Sequence, residues 1–441
     1  MLKRLQAIKC IKTKGKIEKM KFKLTKEFFG GIINDKEKKS NIAIDPKEML
    51  LLSILNPENK NFSQDIDDLI SESKGAKDIL KTLRELLDFG LIGSNVDYDL
   101  NKSKGNYLSA PFRLFYDITY LCNLRCKHCF TNSGQPNESE LSLEEKLKLV
   151  DDMKQLGVPR VSIAGGEPFA CEDLYEFVKK CNQNDIGVSI STNGTMFDEK
   201  TIDKINNLDI KTVTISFDGG TQESMDQIRG KGTYKKVVEN LYNLKRLYNG
   251  KYCIKTTLMK SNINCLEEVV KIGLKCGCSS VKFNTVREDG RATKNKDSIV
   301  LTQQEYIQTM KNLENLKQKY SGQIKIKNPL NIFSKECYNY IEELGFGCFA
   351  GKESICVDAL GNVRPCSHFP KEFICQNIKN KSLYEIWHES EILKMFRNFK
   401  GNEDCNGCSK YSKCRGGCRY RAFLDGDING VDSYCYEFKN I

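Results

Sequence analysis

The sequence predicts an α/β protein, and three observations carry that prediction. Residues 114–320 pass through six short apolar strand patterns separated by helical ones. Residues 20–100 read as a smaller unit of their own, and residues 321–441 lose the alternation and fill with Cys, Gly and turn residues. At roughly 100–200 residues per domain, 441 residues suit two to four domains with room for a sizeable core.

Taken in order, residues 1–20 form a basic N-terminal segment. Residues 1–30 hold ten Lys/Arg and two Glu, which is +8 of the chain's formal +11. Such an arm is either a solvated surface or a contact for an acidic partner. Nothing supports nucleic acid, since the only histidines are His128, His368 and His388. Residues 21–100 come next. FKLTKEFFGGIIND and NIAIDPKE read as short strands with a Gly-rich turn. MLLLSIL, FSQDIDDLISES and KGAKDILKTLRELLDFGLI read as amphipathic helices, giving a winged-helix-like domain. NKSKGNYLSAPFR, residues 101–113, reads as a linker.

The central zone, 114–320, supplies the strands LFYDITY, RVSIAGG, GVSISTN, KTVTISFDG, KYCIKTTLM and SSVKFNTV. Helical patterns follow at SLEEKLKLVDDMKQLG, CEDLYEFVKKCNQND and around 198–208, 233–249, 264–276 and 302–319. Parallel strands need helical crossovers, so these residues predict a β/α layer structure with its chemistry at the carboxyl ends of the strands. The last zone, 321–441, is too poor in aliphatics for an ordinary core, and folding organised by bound ligands is the natural reading.

Composition excludes several classes. An apolar fraction of 39% rules out a wholly disordered chain. No run of 18 apolar residues predicts a membrane span, and the N-terminus lacks the apolar stretch of a secretory signal. Twenty cysteines without a secretory route predict a cytoplasmic protein whose thiols hold metal rather than disulfides.

The cysteines fall in two places. Cys122, Cys126 and Cys129, spaced C-x3-C-x2-C in CNLRCKHC, follow the first strand of the central zone. Three thiolates from one loop suit a cubane iron–sulfur cluster whose fourth iron stays open to a small chelating molecule; zinc would need a fourth ligand. The following strand ends are polar or glycine-rich. Gly165, Gly166 and Glu167 of GGEP allow close backbone approach and offer a carboxylate for an ammonium. Ser191, Thr192 and Asn193 suit ribose hydroxyls or a carboxylate, as do Ser216 and Asp218. Arg229 can fork onto a carboxylate, and Gly290-Arg291-Ala292 could hold a flat base. Near the C-terminus, Cys348, Cys356, Cys366, Cys405, Cys408, Cys414, Cys418 and Cys435 match two four-cysteine sites, either [4Fe-4S] clusters or zincs. Cys10 and Cys375 are left as free thiols.

These motifs closely resemble the radical S-adenosylmethionine (radical SAM) enzymes that carry a SPASM-type auxiliary domain. The matching pieces are CNLRCKHC, GGEP, STNG, SFDG, the RG of QIRG, and the array from GNVRPC through CNGCSKYSKCRGGC to Cys435, about residues 112–440. The resemblance implies a partial (β/α)6 TIM barrel over 114–320, then a bridging segment and SPASM domain over 321–441. It implies three [4Fe-4S] clusters. One, on Cys122, Cys126 and Cys129, would bind S-adenosylmethionine with Gly165, Gly166, Glu167, Ser191, Asn193, Ser216, Arg229 and Arg291 around it. Cys348, Cys356, Cys366 and Cys418 would hold the second cluster, and Cys405, Cys408, Cys414 and Cys435 the third. Cys356 is the position where relatives differ.

Residues 21–100 resemble the PqqD-like domain that binds a precursor's leader peptide. Together these resemblances imply a maturase of a ribosomally made peptide, of the sactipeptide or streptide type. Such an enzyme reductively cleaves S-adenosylmethionine, abstracts a hydrogen atom and installs a thioether or carbon–carbon crosslink. Its partners would be the precursor peptide and a flavodoxin or ferredoxin-type electron donor. Two alternatives stand beside it: a formylglycine-generating sulfatase-maturing enzyme, and a non-catalytic electron carrier or peptide-binding scaffold. Against the first, Ser367 follows Cys366 where that type carries Asp.

Overall fold

The computed structural model describes residues 22–27, 30–35, 40–44, 49, 51–52, 96–99, 107–329, 347–399, 401–409 and 411–435. The chain divides into two compact units, Met1–Ser109 with Tyr340–Leu344, and Ala110–Asn339 with Gly345–Ile441.

The first unit contains a four-stranded sheet of β1 (Phe22–Glu27), β2 (Gly30–Asp35), β3 (Ser40–Ile44) and β4 (Val96–Asp99), in the order β3-β2-β1-β4. β1 to β3 form an antiparallel meander, and β4 pairs parallel to β1. Leu24 and Ile33 are cross-strand partners with no exposed surface, which anchors the register of the meander. Glu27 is buried and accepts from Ser109 N–H and Oγ–H, the latter at 2.6 Å. Residues 108 and 109 are thus packed rather than free, although they lie in the segment expected as a linker. The first three strands match the sequence reading, and β4 was unassigned in it. The basic segment, most of the first two expected helices and all of DILKTLRELLDFGLI lie outside the described residues.

The second unit is built on a ten-stranded sheet. Its strands are β5 (Arg113–Asp117), β6 (Arg160–Ala164), β7 (Gly187–Thr192), β8 (Ile210–Ser216), β9 (Tyr252–Leu258), β10 (Ser280–Thr285), β11 (Lys325–Lys327), β12 (Ser354–Val357), β13 (Asn362–Arg364) and β14 (Gln376–Asn377). β5 to β11 are parallel and lie side by side in chain order. Crossovers run through α1 (Leu143–Leu156), α2 (Leu174–Gln183), α3 (Glu199–Asn206), α4 (Gln222–Arg229), α5 (Thr233–Leu247), α6 (Leu266–Lys275) and α7 (Gln303–Lys319). Strands added always on the same side, by crossovers of one hand, place every helix on one face. The other face is left to the strands themselves, the winding of an open (β/α) barrel.

The side chains follow this division. Tyr116 of β5 packs on Phe177 of α2, ring centres 5.1 Å apart, while its neighbour Asp117 points the other way. Helix starts are well specified: Ser142 with Glu145 and Thr302 with Glu305 form capping boxes at α1 and α7. The helix α4, which ends on Arg229, was not among the helical patterns read from the sequence.

The cysteine-rich zone joins the same sheet. β12 pairs parallel to β5 on the side away from β6, and β13 and β14 extend it antiparallel. Its core is aromatic where aliphatics are scarce. Phe369 is buried, with ring centres of Phe373 at 4.6 Å, Phe396 at 4.9 Å and Tyr420 at 5.8 Å. Trp387 of α8 (Leu383–Glu389) is fully buried beneath the Arg397 guanidinium of α9 (Glu391–Asn398), 4.1 Å from the ring centre. A short helix, α10 (Arg419–Leu424), completes it. Among the described residues, no helix is long and apolar enough to cross a membrane.

Candidate functional site

The loop after β5 carries Cys122, Cys126 and Cys129. Its neck is closed by hydrogen bonds from Cys122 N–H to Gly134 O (2.9 Å) and from Gly134 N–H to Tyr120 O (2.8 Å). Two arginines then take up its carbonyls. Arg125 donates to Cys122 O (2.8 Å) and Leu124 O (3.1 Å). Arg291 donates from Nε to Cys126 O (2.8 Å), from Nη1 to Ser133 O (2.9 Å), and from its backbone N–H to Cys129 O (2.9 Å). Arg291, expected beside a flat base, clamps the loop's backbone. Gly290, at φ +59°, makes that approach possible, because a Cβ there would collide with the Phe130 carbonyl.

The GGEP turn braces the same loop from β6. Gly166 N–H donates to Thr119 O (2.7 Å) and Glu167 N–H to Leu121 O (2.8 Å). A Cβ on Gly165 would sit 2.5 Å from Thr119 O, and one on Gly166 would collide with Leu121 O. The two glycines admit the cysteine loop's own backbone. Glu167 is fully buried, and its carboxylate accepts from Thr192 Oγ1 (2.6 Å), Asn193 N–H (2.7 Å) and Phe169 N–H (3.1 Å). Burial pushes this carboxyl up against those three donors. Glu167 therefore ties the end of β7 to the turn. Asn193 carries the link onward, donating to Asn123 Oδ1 (2.7 Å) with its amide 3.9 Å from Cys122 Sγ. Ser191 and Ser216 are half-buried at the ends of β7 and β8, facing away from the helices.

A buried ion pair stands behind Cys126. Asp218 Oδ2 accepts from Arg229 at 2.7 Å (Nε) and 2.6 Å, and lies 3.2 Å from His128 Nε2, while Oδ1 accepts from Thr257 N–H (2.7 Å). Burial opposes the Asp218 charge, but Arg229 and His128 hold the carboxyl below its ordinary value. Arg229 also places a nitrogen 3.8 Å from Cys126 Sγ. The carboxylate that Arg229 meets is thus the protein's own. Burial pushes His128 down to about 4, so it is neutral, with Nε2–H assigned toward Asp218 and Nδ1 buried without a partner.

These residues fit an open-site cluster. The Cys122 and Cys126 thiols are raised by burial and further by the charge of Cys129, so all three share one locality. A cluster spreads its thiolates over several irons.

The terminal cysteines sort into two groups by mutual influence. Cys348 is raised by burial and then by Cys418 and Cys366, and these three border the aromatic core around Phe369. Cys405 is raised by burial and then by Cys435 and Cys408; Cys414 is pushed up to about 11 by burial, Asp432, Cys435 and Cys405. Cys356, fully buried in β12, feels Asp117 more than any cysteine. Buried neutral thiols of this kind release protons when metal binds.

The sequence reading missed four connecting residues. Arg287 lies 3.4 Å over the Phe130 ring and donates to Ser367 Oγ and O, joining the chain beside Cys129 to that beside Cys366. His368 Nδ1 lies 2.9 Å from Cys366 Sγ. Asp432 pairs with Arg421 and accepts from Cys418 N–H (2.8 Å) and Tyr434 N–H (3.0 Å), touching both cysteine groups. Proximity to a cysteine was the only available signal for His368, Arg421 and Asp432; Arg287 had none.

Comparisons with known proteins agree with this layout. Residues 116–272 match the radical SAM superfamily, and residues 348–409 match the SPASM iron–sulfur cluster-binding domain. Mycofactocin maturase MftC of Mycolicibacterium smegmatis is 27% identical over 341 residues, 75% of this chain and 84% of that protein. An AdoMet-dependent heme synthase of Methanosarcina barkeri is 24% identical over 345 residues, 74% of this chain and 97% of that one. Among solved structures, Streptococcus suis SuiB bound to S-adenosylmethionine has a TM-score of 0.72 at 19% identity, over 95% of this chain and 99% of SuiB. SuiB bound to its precursor peptide SuiA gives a TM-score of 0.70 at 17% identity over the same shares. The chain is a radical SAM enzyme in which a radical SAM domain is followed by an iron–sulfur cluster-binding SPASM domain.

Proposed function

We propose that this enzyme matures a ribosomally made precursor peptide by installing an intramolecular thioether or carbon–carbon crosslink. The observation that carries the reading is that the three-thiol loop follows β5 while Cys356 sits on the adjoining β12, with Arg287 joining the chain beside Cys129 to that beside Cys366. The likeness to MftC and to SuiB supports a peptide as the substrate.

Cys122, Cys126 and Cys129 would hold a [4Fe-4S] cluster which, when bound, supplies the electron that cleaves S-adenosylmethionine to a 5′-deoxyadenosyl radical. Glu167 and Asn193 fix the loop's Cys122 side, and Arg229 its Cys126 side. Ser191 and Ser216 offer hydroxyls toward S-adenosylmethionine, while Gly165, Gly166 and Arg291 keep the loop in its shape. Cys348, Cys356, Cys366 and Cys418 would hold one auxiliary [4Fe-4S] cluster, and Cys405, Cys408, Cys414 and Cys435 the other, three in all. A crosslink removes electrons from the substrate, and auxiliary clusters at these sites could accept them. A flavodoxin or ferredoxin-type donor in the cytoplasm would supply the reducing electron.

The unit of residues 21–100 would act as a PqqD-like leader-binding domain. An edge of its four-stranded sheet offers main-chain hydrogen bonds to an added strand. The test is high-resolution mass spectrometry of candidate precursor peptides co-expressed with the enzyme. Loss of two hydrogens per link supports the reading. Unmodified candidates together with turnover of a tetrapyrrole would place the chain with the heme synthases instead.

A further inference from the structure

Two lysines stand side by side on the helix-free face of the sheet. Lys255 of β9 and Lys282 of β10 are direct register partners. Their neighbours Ile254 and Val281 pack toward Gly273 of α6, so both lysines point away from the helices. Lys282 Nζ reaches across β9 to Thr214 Oγ1 of β8 at 3.5 Å, and that hydroxyl lies 3.3 Å from Cys253 Sγ. The Lys282 amine thus reaches over all three strands, and both lysines are partly buried.

Their charge is unmatched. Among the described residues, no carboxylate lies within ion-pair distance of either amine. Asp218, the acid whose charge Lys255 feels most, is engaged by Arg229, His128 and Thr257 N–H. Burial lowers Lys255, and the charges of Lys282 and Arg229 press it in the same direction. Like charges placed directly opposite on neighbouring strands destabilise a sheet, and a concave basic surface concentrates anions. Lys255 also pairs in register with Ser216, two residues before Asp218, and feels the charges of Asp218 and Arg229, the ion pair behind Cys126.

We propose that Lys255 and Lys282 form a subsite for a carboxylate of the substrate peptide, an acidic side chain or the chain terminus, next to the radical-forming loop. The role assigned to the carboxylate rests on the peptide-maturase reading, whereas the subsite's affinity for carboxylates does not.

The test uses cluster-loaded protein with saturating S-adenosylmethionine. The probes are N-acetylglutamate α-amide, carrying a side-chain carboxylate; N-acetylglycine, carrying a terminal one; and neutral N-acetylglutamine amide. The carboxylate that fits raises the thermal midpoint by about 2 °C or more at saturation, and the neutral probe does not. The Lys255→Met/Lys282→Met protein should lose that shift, and Lys255→Arg/Lys282→Arg, which also controls for folding, should keep it. The two acidic probes separate the two sources. Equal responses to acidic and neutral probes overturn the proposal. So does a tenfold weaker affinity for S-adenosylmethionine in the Met variant, which would assign the amines to the methionine carboxylate. If no peptide is ever found modified, the maturase reading fails while the carboxylate shift remains measurable.

Discussion

Replacing Arg229 with Met is the sharpest perturbation of the site. Asp218 is fully buried and would lose two charge-assisted contacts, at 2.7 and 2.6 Å, keeping only Thr257 N–H and His128. Removing one partner of such a pair strands a charge and costs about 3–5 kcal/mol. The strain has one outlet. His128 is pushed down to about 4 by burial, with Arg229 adding to the depression, so losing that guanidinium lets the imidazole rise and protonate beside Asp218. A histidine depressed in the folded state gives stability that is present above its unfolded value and lost as pH falls toward its folded one. Raising its folded value shrinks that loss, so the deficit of Arg229→Met should narrow from pH 8 to pH 5. The assay is denaturant unfolding of cluster-loaded protein at both pH values, in a double-mutant cycle with Asp218→Asn. A coupling of about 2 kcal/mol or more at pH 8 is expected. A coupling below about 0.5 kcal/mol, or a deficit independent of pH, would refute the pairing.

Other outcomes follow from the same contacts. Arg291→Met removes the guanidinium's bonds to Cys126 O and Ser133 O, so the radical-site cluster should be lost on gel filtration while auxiliary-cluster absorption persists. Gly166→Ala drives a Cβ into Leu121 O and should abolish 5′-deoxyadenosine formation, with a stability cost of about 1–3 kcal/mol by unfolding. Asp432→Asn weakens the pair with Arg421 and should alter the electron paramagnetic resonance of both auxiliary clusters but leave the radical-site signal unchanged. Burial pushes Asp117 up to about 6, against the pull of Arg287 and Arg364. A raised carboxyl favours the fold fully below its unfolded value and loses that contribution as pH rises through its folded one. Asp117→Asn should therefore match wild type below pH 4 and exceed it by about 3 kcal/mol above pH 7 in thermal unfolding.

Much of this architecture was readable from local pattern. Strands such as GVSISTN carry buried alternate residues, and the helices between them repeat apolar positions at helical spacing, so the strand–helix rhythm needed no long-range information. The C-x3-C-x2-C loop was legible for the same reason. Long-range pairing was not. β12 docks beside β5 across some 240 residues, and no feature of SICV distinguishes it from an isolated strand. The glycines of GGEP were expected to make room for a ligand, and they make room for the chain between Thr119 and Leu121. Arg229 and Arg291 were singled out in the sequence, and their partners lie 11 residues away at Asp218 and 165 residues away at Cys126. An arginine's identity says that it will fork onto oxygens and leaves open whose oxygens those are.

The most direct test of the account is 5′-deoxyadenosine formation by reduced, cluster-loaded protein with S-adenosylmethionine, compared with Cys126→Ala. Wild type should release 5′-deoxyadenosine and methionine in equal amounts. The variant should release neither while keeping the auxiliary-cluster spectrum. No product from wild type with verified iron and sulfide content, or equal product from the variant, would contradict the assignment of Cys122, Cys126 and Cys129.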